Sequence, residues 1–191
     1  MKLKLISAMF FLTSWFANGQ STFIYDQQSI NLIEGSVGLG AQPVGQSFTP
    51  SFSSVGFIML NLADGVPGGG GGGTPSVNLR ANSITGTILG STTPVTLPSH
   101  FFGVTNFFFT TPITVVPNVT YYFQLVSGGG GFGSYVTDGY AGGTAISQGA
   151  AKNYDLWFRE GVVVPEPSSA LLVLIGGGVL FYARRKNSFR T

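Results

Sequence analysis

Residues 119–126, VTYYFQLV, show the pattern that decides the fold class. From Val119 onward almost every second side chain is apolar or aromatic, which predicts a β-strand with one buried face and one wetter face. Residues 76–81, SVNLRA, repeat this period of two. Residues 55–62, VGFIMLNL, are apolar at almost every position, so we expect a central strand that is covered on both sides. Together these segments predict an all-β fold.

Shorter runs of β-branched and aromatic residues extend the pattern across residues 20–163. They lie between turn residues at positions 22–25, 45–49, 85–89, 107–110, 113–116, 134–137 and 154–159. No sustained helical period interrupts them, and this spacing is typical of a single β-sandwich or jelly-roll domain. Two glycine runs, at 68–73 and 128–131, are predicted to be exposed loops because glycine is too flexible for a strand interior.

The composition of the 191 residues excludes several classes of protein. Only 8% of them are charged, one is histidine and none is cysteine. Disulfide scaffolds, cysteine-ligated zinc and thiol catalysis are therefore excluded. Basic residues cluster at the two ends, and between residues 20 and 164 Arg80, Lys152 and Arg159 are outnumbered by acidic residues. Because the middle of the chain is mildly acidic, no nucleic-acid partner is expected.

The N-terminal residues 1–19 have the three parts of a secretory signal peptide. Two lysines precede an apolar run at residues 5–16, and Ala17 and Gly19 are small residues at the −3 and −1 positions of a cut before Gln20. The run has about 12 residues, too few to span a hydrocarbon core of ~30 Å as a helix. We predict cleavage and export across the inner membrane; the alternative is a buried first helix.

The C-terminal residues 164–191 combine a proline motif, an apolar segment and a basic cluster. In order these are Pro165, Glu166 and Pro167, then an uncharged stretch at residues 168–183, then Arg184, Arg185 and Lys186. As a helix the uncharged stretch reaches roughly 24 Å, which predicts a short transmembrane helix. The basic cluster is predicted to act as a cytoplasmic stop because basic residues resist translocation. The prolines keep the preceding segment extended.

The C-terminal arrangement resembles the PEP-CTERM sorting signal of Gram-negative bacteria. The resemblance covers V-P-E-P-S at residues 164–168, the glycines at 176–178 and the final basic cluster. It implies that the proline motif is recognised by an exosortase, a membrane-embedded transpeptidase. The membrane-anchored precursor would then be released or transferred to the cell surface, in a setting of exopolysaccharide production. Exopolysaccharide is thus a candidate partner. The alternative fate is a permanent single-span anchor.

The body of the chain is similar to choice-of-anchor β-sandwich modules of extracellular bacterial proteins. The similar segments are residues 46–49, 77–79, 86–90, 117–122 and 155–159. The resemblance implies a β-sandwich passenger over residues 20–163 with a separate anchoring tail. It implies no ligand and no site residue.

Catalytic residues are not evident in this body. A catalytic nucleophile and base usually include histidine, and the sole one, His100, is predicted to lie in a loop between Pro98-Ser99 and Phe101-Phe102. Asp138, Asp155 and Glu160 could supply a glycosidase pair only if the fold brings two of them within about 5 to 9.5 Å. We predict no enzyme, no catalytic residue and no cofactor. No metal site is predicted either, with calcium at Asp138 or Asp64 as an alternative because both stand in Asp-Gly turns.

The sequence favours an exported, non-catalytic protein of the cell surface or extracellular matrix. The alternative is a carbohydrate-binding module for surface or environmental polysaccharide, because sugar rings pack their C–H faces on aromatic side chains. The candidate sugar-binding residues are Trp157, Tyr135, Tyr140 and Tyr154. An exposed pair of coplanar rings would favour this alternative, and rings that are all buried would favour the structural role.

Overall fold

The structure is a computed structural model that describes residues 21–65, 70–129 and 131–165. The predicted signal peptide at 1–19 and the predicted transmembrane helix at 168–183 lie outside these residues. Two antiparallel sheets make up the described part, and residues Phe23–Val163 form a compact unit. No helix long and apolar enough to cross a membrane occurs in the part of the chain that the structure describes.

The described strands divide between a seven-stranded and a six-stranded sheet. Sheet A contains β1 (Ser21–Ser29), β2 (Leu32–Gly38), β4 (Ser54–Asp64), β7 (Phe102–Thr114), β9 (Phe132–Thr137), β12 (Asp155–Leu156) and β13 (Phe158–Pro165). Sheet B contains β3 (Val44–Phe48), β5 (Ser76–Ala81), β6 (Ile88–Ser91), β8 (Tyr121–Val126), β10 (Ala145–Ser147) and β11 (Ala150–Ala151). The prediction of an all-β fold is confirmed for these residues.

The inward side chains of the two sheets form one hydrophobic core. Val77 and Leu79 of β5 and Phe123 of β8 are fully buried in it. Asn78 and Gln124, which alternate with them and pair in register, are half-buried and point away from the core. The period of two in the sequence therefore separates inward from outward side chains as predicted, because successive residues of a strand point to opposite faces.

Strand β4 is buried on both faces, as its continuous apolar run predicts. Ile58 and Leu60 point into the main core, and Phe57 lies with Met59 in a second, smaller cluster on the other face of sheet A. Strand β4 pairs with β7 along one edge and with β13 and β9 along the other. It is therefore the central strand of sheet A.

Three predicted strand starts are wrong: β12 begins at Asp155 where residue 154 was expected, and the other two are the starts expected at residues 119 and 85. Val119 was expected on a buried strand face, but it is exposed and precedes β8, in a turn in which Asn118 has a positive φ of 62°. The strand expected at 85–89 begins only at Ile88, because the Gly86 N–H donates to the Ser83 carbonyl (3.0 Å) and closes a turn.

The first glycine run is not simply an exposed loop. Gly72 is buried, and its N–H donates to Asp64 Oδ2 over 2.8 Å. It has a positive φ of 71°, and a Cβ here would approach the Leu97 carbonyl oxygen to 2.8 Å, so this position requires glycine. The prediction of exposure is wrong at Gly72 because a buried carboxylate organises the loop around it. In the second run, Gly128 and Gly129 are exposed as predicted.

Strands β2, β10 and β11 were not predicted. Strand β2 contains Gly35, Ser36 and a β-bulge between Leu32 and Ser36, which break the alternation that identifies a strand from sequence. At the other end, β13 continues past the predicted limit at residue 159 as far as Pro165. The last described strand thus includes the first proline of the C-terminal motif.

Candidate functional site

The outward face of sheet A carries a row of aromatic rings, and strand register determines which rings are neighbours. Phe108 of β7, Phe57 of β4 and Gly161 of β13 lie opposite one another on adjacent strands. A Cβ at Gly161 would come within 2.0 Å of the Ile24 carbonyl oxygen, so glycine allows β1 to lie close to β13 at this point. Phe23 of β1 then contacts both phenylalanines, with ring centroids 5.0 Å from Phe57 and 6.0 Å from Phe108.

We call the rings of Phe23, Phe108 and the nearby Tyr25 of β1 the aromatic strip. Phe23 and Tyr25 project from the same face of β1 because they are two residues apart. Their ring planes differ by 4° and their centroids are 6.4 Å apart, while the plane of Phe108 is tilted 27° from that of Phe23. Tyr25 is 41% exposed and Phe108 is 42% exposed. The strip therefore presents a parallel, partly exposed ring pair to solvent, above the fully buried Phe57.

Arg159 of β13 extends the strip. Its guanidinium carbon lies 4.8 Å from the ring centroid of Tyr25 and 5.5 Å from that of Trp157. Its Nε is buried and makes no hydrogen bond, and no hydrogen bond or ion pair of this side chain is found among residues 21–65, 70–129 and 131–165. Arg159 thus rests on aromatic rings without an anionic partner in the described part of the chain.

Two of the predicted sugar-binding residues lie on this same face. Trp157 is only 8% exposed and packs with Phe57 and Met59, so its contact toward the strip is through Arg159. Tyr135 of β9 is half-buried and meets the exposed Phe102 edge-on, with centroids 5.5 Å apart. Neither ring is part of the parallel pair.

The other two predicted residues, Tyr140 and Tyr154, line one hollow between loops. Its volume is about 320 Å³, and Asp138, Lys152 and Asn153 also line it. A second hollow of about 310 Å³, beside residues 28–31, shares Asp138 and Tyr140 with it. The structure therefore brings Tyr140, Tyr154 and Asp138 together, as a polar hollow separate from the aromatic strip.

The side chain of Tyr140 contacts three other residues of the fold. Its hydroxyl accepts from the Thr49 N–H (3.3 Å) and donates to Gln27 Oε1 (3.2 Å), and its ring meets Phe158 edge-on at 5.1 Å. Burial raises the pKa of Tyr140 to about 12, with the carboxylate of Glu160 adding to the effect. Its hydroxyl is thus engaged in supporting the loops. Burial also raises the pKa of Tyr154 above its ordinary value.

Of the acidic residues considered for catalysis, Asp138 and Asp155 both line the loop hollow, and Glu160 is not among the residues that line it. Asp155 is buried and accepts from Gln46 Nε2 (2.8 Å) and from the Tyr140 N–H (3.0 Å). Glu160 is fully buried, and neither of its carboxyl oxygens makes a hydrogen bond within the described residues. Burial, followed by the nearby Asp26 carboxylate, raises the pKa of Glu160 to about 9. His100 is exposed, and its N–H donates to Asp64.

The two calcium candidates differ in their surroundings. Asp64 is buried, and its Oδ2 accepts N–H bonds from Gly72 (2.8 Å) and His100 (3.2 Å). Asp138 is exposed, and its Oδ1 accepts from the Gly139 N–H within its own turn. No group of three or more His, Cys, Asp or Glu that could hold a metal ion is found over the described ranges.

Comparison with known proteins concerns the end of the chain that follows these strands. The family model described as the PEP-CTERM protein-sorting motif matches residues 163–187. The chain carries a PEP-CTERM sorting motif. No curated protein was found to match it. The sorting motif implies export and processing by an exosortase-type enzyme.

The first residues of the sorting motif, 163–165, are the last residues of strand β13. Pro165 is exposed and is the last residue of β13. The remaining residues predicted to act in sorting lie outside the described residues: Glu166, Pro167, Arg184, Arg185 and Lys186.

Sequence analysis did not identify the aromatic strip. The available sign was the spacing of Phe23 and Tyr25 in the strand predicted at 22–25, which puts both rings on one face. The contact with Phe108 and Arg159 depends on the register that joins β1, β13, β4 and β7, and these strands come from opposite ends of the chain. A single sequence contains no record of that register.

Proposed function

We propose that this protein is a non-catalytic component of the cell surface or extracellular matrix that reaches its place through its sorting motif. The motif at residues 163–187 is the observation that supports this proposal. The burial of Asp155 and Glu160 and the use of the Asp64 carboxylate to hold a loop also fit a role without catalysis. The precursor is held in the inner membrane by its C-terminal segment, and exosortase then removes that segment.

The sorting step is tested with variants outside the described strands. Glu166→Ala combined with Pro167→Ala should leave the folded body intact and cause the precursor to accumulate in the inner membrane of an exosortase-containing host. Ser188→Ala, just after the matched residues 163–187, is the matched control. The measurement is the mass of the protein extracted from the surface. Surface protein that still carries residues 184–191 would contradict removal and support a permanent anchor.

The absence of catalysis is tested separately on the full chain. Incubation with a panel of polysaccharides should release no new reducing ends above a heat-treated control. Release that disappears in Asp138→Asn or Glu160→Gln would instead identify a glycosidase. A variant at Asp64 is unsuitable for this purpose because that carboxylate holds Gly72 and the His100 backbone in place.

A second function, glycan binding on the aromatic strip, is supported by the parallel pair Phe23 and Tyr25. Pyranose rings have apolar C–H faces that pack on aromatic side chains, and exposed rings on a rigid sheet are already in position for such packing. Half-buried Asn106, which stands next to the strip in register with Met59, adds a polar group for hydroxyl contacts. The combination of aromatic area with a few polar groups is typical of small-ligand and sugar sites.

Glycan binding is tested by the affinity of the full chain for immobilised polysaccharides. Tyr25→Ala should weaken binding by about tenfold or more, because it removes one of the two exposed rings of the aromatic strip. Ile88→Ala, at an exposed apolar residue of sheet B, is the matched control and should bind as the parent does. Equal binding by both variants, or no binding by the parent, would rule out the strip as a glycan site.

A further inference from the structure

Arg159 is the one charged side chain that faces outward from β1, β4, β7 and β13, all of which are described. The other charged residues of these strands are Asp26, Asp64 and Glu160. Asp64 and Glu160 are buried, and Asp26 Oδ2 accepts the N–H groups of Ser51 (2.7 Å) and Phe52 (2.8 Å). The outward face of these four strands thus carries aromatic rings and a single charge, which is positive.

The position of Arg159 is fixed by strand pairing. Arg159 lies opposite Met59 of β4, which in turn lies opposite Asn106 of β7. This row is adjacent to the row of Gly161, Phe57 and Phe108, so the guanidinium is next to the aromatic strip along β13. Residues two apart on a strand are separated by about 7 Å, which is within reach of a single sugar unit and its substituents.

The guanidinium is prepared for an anion. It is planar, always charged and shaped to bind a carboxylate through two parallel hydrogen bonds. Here the rings of Tyr25 and Trp157 hold it in place, its Nε is shielded from water, and no acidic side chain of the described residues contacts it. A partly buried charge without a counter-ion is costly, so a ligand that supplies the anion is favoured over a neutral one.

We infer that the aromatic strip and Arg159 together bind a carboxylated polysaccharide, that is, a chain containing uronic acid units. This inference rests on the proposed glycan binding and adds the class of glycan. The C–H faces of the sugars pack on Tyr25 and Phe108, and a uronate carboxylate accepts hydrogen bonds from Arg159. A second copy of the chain fits this face less well, because two copies placed face to face would bring two unpaired Arg159 side chains into one apolar contact.

The test compares two polymers with the same backbone, one with ionised carboxylates and one with methyl esters. Affinity of the full chain is measured for polygalacturonate and for the same polymer with its carboxyl groups fully methyl-esterified. We expect the parent protein to prefer the acid form by about tenfold or more. Arg159→Gln should bind the two forms alike, and Arg159→Lys should keep part of the preference because it keeps the charge without the planar fork.

Three control measurements separate the inference from the proposal beneath it. Lys152→Gln removes a positive charge from the loop hollow and should keep the full preference. Thermal unfolding of Arg159→Gln should match that of the parent, which shows that lost binding is not lost folding. Dextran sulfate provides an anionic polymer without carboxylates and should bind more weakly than polygalacturonate.

The outcomes are distinguishable. Equal affinity of the parent for both polymers, or a preference that survives in Arg159→Gln, would overturn the role of Arg159 and leave glycan binding intact. Tighter binding of dextran sulfate would also overturn selection of a carboxylate. Binding of neither polymer, when neutral polysaccharides also fail, would remove the glycan proposal itself. Self-association that Tyr25→Ala abolishes, without polymer binding, would assign the face to a second copy.

Discussion

The two sheets present opposite kinds of outward face although they share one core. On sheet B, Arg80 Nε donates to Gln124 Oε1 (2.8 Å) and Gln124 Nε2 donates to Gln42 Oε1 (3.3 Å). On sheet A, the outward face of β1, β4 and β7 carries the rings of Phe23, Tyr25, Phe57 and Phe108, and Arg159 has no such partner in the described part of the chain. An antiparallel sheet with one face in water is normally polar on that face. The polar network of Arg80, Gln124 and Gln42 on sheet B follows this rule, and the ring cluster on sheet A departs from it, which is why we propose a binding role for sheet A.

The difference between the two outward faces is clearest at Arg80 of sheet B and Arg159 of sheet A. Arg80 also donates to the Gly86 carbonyl over 2.6 Å, so its hydrogen-bonding groups complete the turn before β6. Arg159 is placed on rings, and rings leave its N–H groups available to an incoming acceptor. The same residue type therefore closes a structure on one sheet and remains open on the other.

The largest predicted effect is on the support of the aromatic strip. Phe57→Ala removes a fully buried ring that contacts Phe23 and Tyr25, and we expect it to lower the free energy of unfolding by about 3–5 kcal/mol. Ile88→Ala on sheet B should change it by less than ~0.5 kcal/mol because that side chain is exposed. Denaturant unfolding of both variants measures the difference. A small loss at Phe57 would mean that the strip collapses readily and is not a rigid platform.

The second effect concerns Glu160, the inward neighbour of Arg159 on β13. Burial and the Asp26 carboxylate raise the pKa of Glu160 from 4.5 to about 9 in the folded protein. The folded state therefore holds this proton more tightly than the unfolded state does. The stability that it contributes is fully present below about pH 4.5 and is lost progressively as the pH rises toward 9. Asp26 itself has the opposite shift: burial would raise its pKa, but the bonds it accepts from Phe52, Ser51 and Gln27 lower it.

Glu160→Gln keeps the neutral shape at all pH values. We expect the variant to be more stable than the parent by about 3 kcal/mol at pH 7 and to be nearly equal to it at pH 4. Urea unfolding of both proteins at pH 4, 7 and 9 gives the comparison. Parallel curves, with a constant difference across that range, would show that Glu160 ionises normally in the folded state.

Sequence alone predicts the part of the molecule that depends on local pattern. Strands β4, β5 and β8 follow from their apolar periodicity, because burial of one or both faces dictates which residue types they contain. Strand β2 does not, since Gly35 and the neighbouring bulge interrupt its pattern. The sorting motif is also predictable because its three features are contiguous in the chain.

The candidate site was only partly predictable for a different reason. Trp157 was chosen from sequence as a prominent aromatic residue, but it lies beneath Arg159 with little exposure. Tyr25 and Phe108 become neighbours of Phe23 only through the pairing of β1, β13, β4 and β7. The value of a ring to a ligand depends on which side of the sheet it faces and on what covers it. Both follow from register, which composition and spacing leave open.

The smallest predicted effect separates the two arginines directly. Arg80→Gln removes hydrogen bonds to Gln124 and Gly86, and we expect a loss of about 1 kcal/mol in the free energy of unfolding. Arg159→Gln removes its contact with two rings but also removes a partly buried, unpaired charge. These contributions oppose each other, so we expect a change of less than ~0.5 kcal/mol. Denaturant unfolding at one pH and salt concentration compares the two variants.

The variant that loses more unfolding free energy, Arg80→Gln or Arg159→Gln, shows which arginine supports the fold. Removing an arginine that supports the fold lowers the free energy of unfolding. Removing an arginine that serves a ligand lowers the binding affinity and leaves the free energy of unfolding unchanged. If Arg159→Gln proved more damaging to stability than Arg80→Gln, its stacking on Tyr25 and Trp157 would be a structural support, and sheet A would differ from sheet B only in how its outward face is packed. If it is neutral in unfolding and harmful in binding to polygalacturonate, the aromatic face is open because a partner completes it.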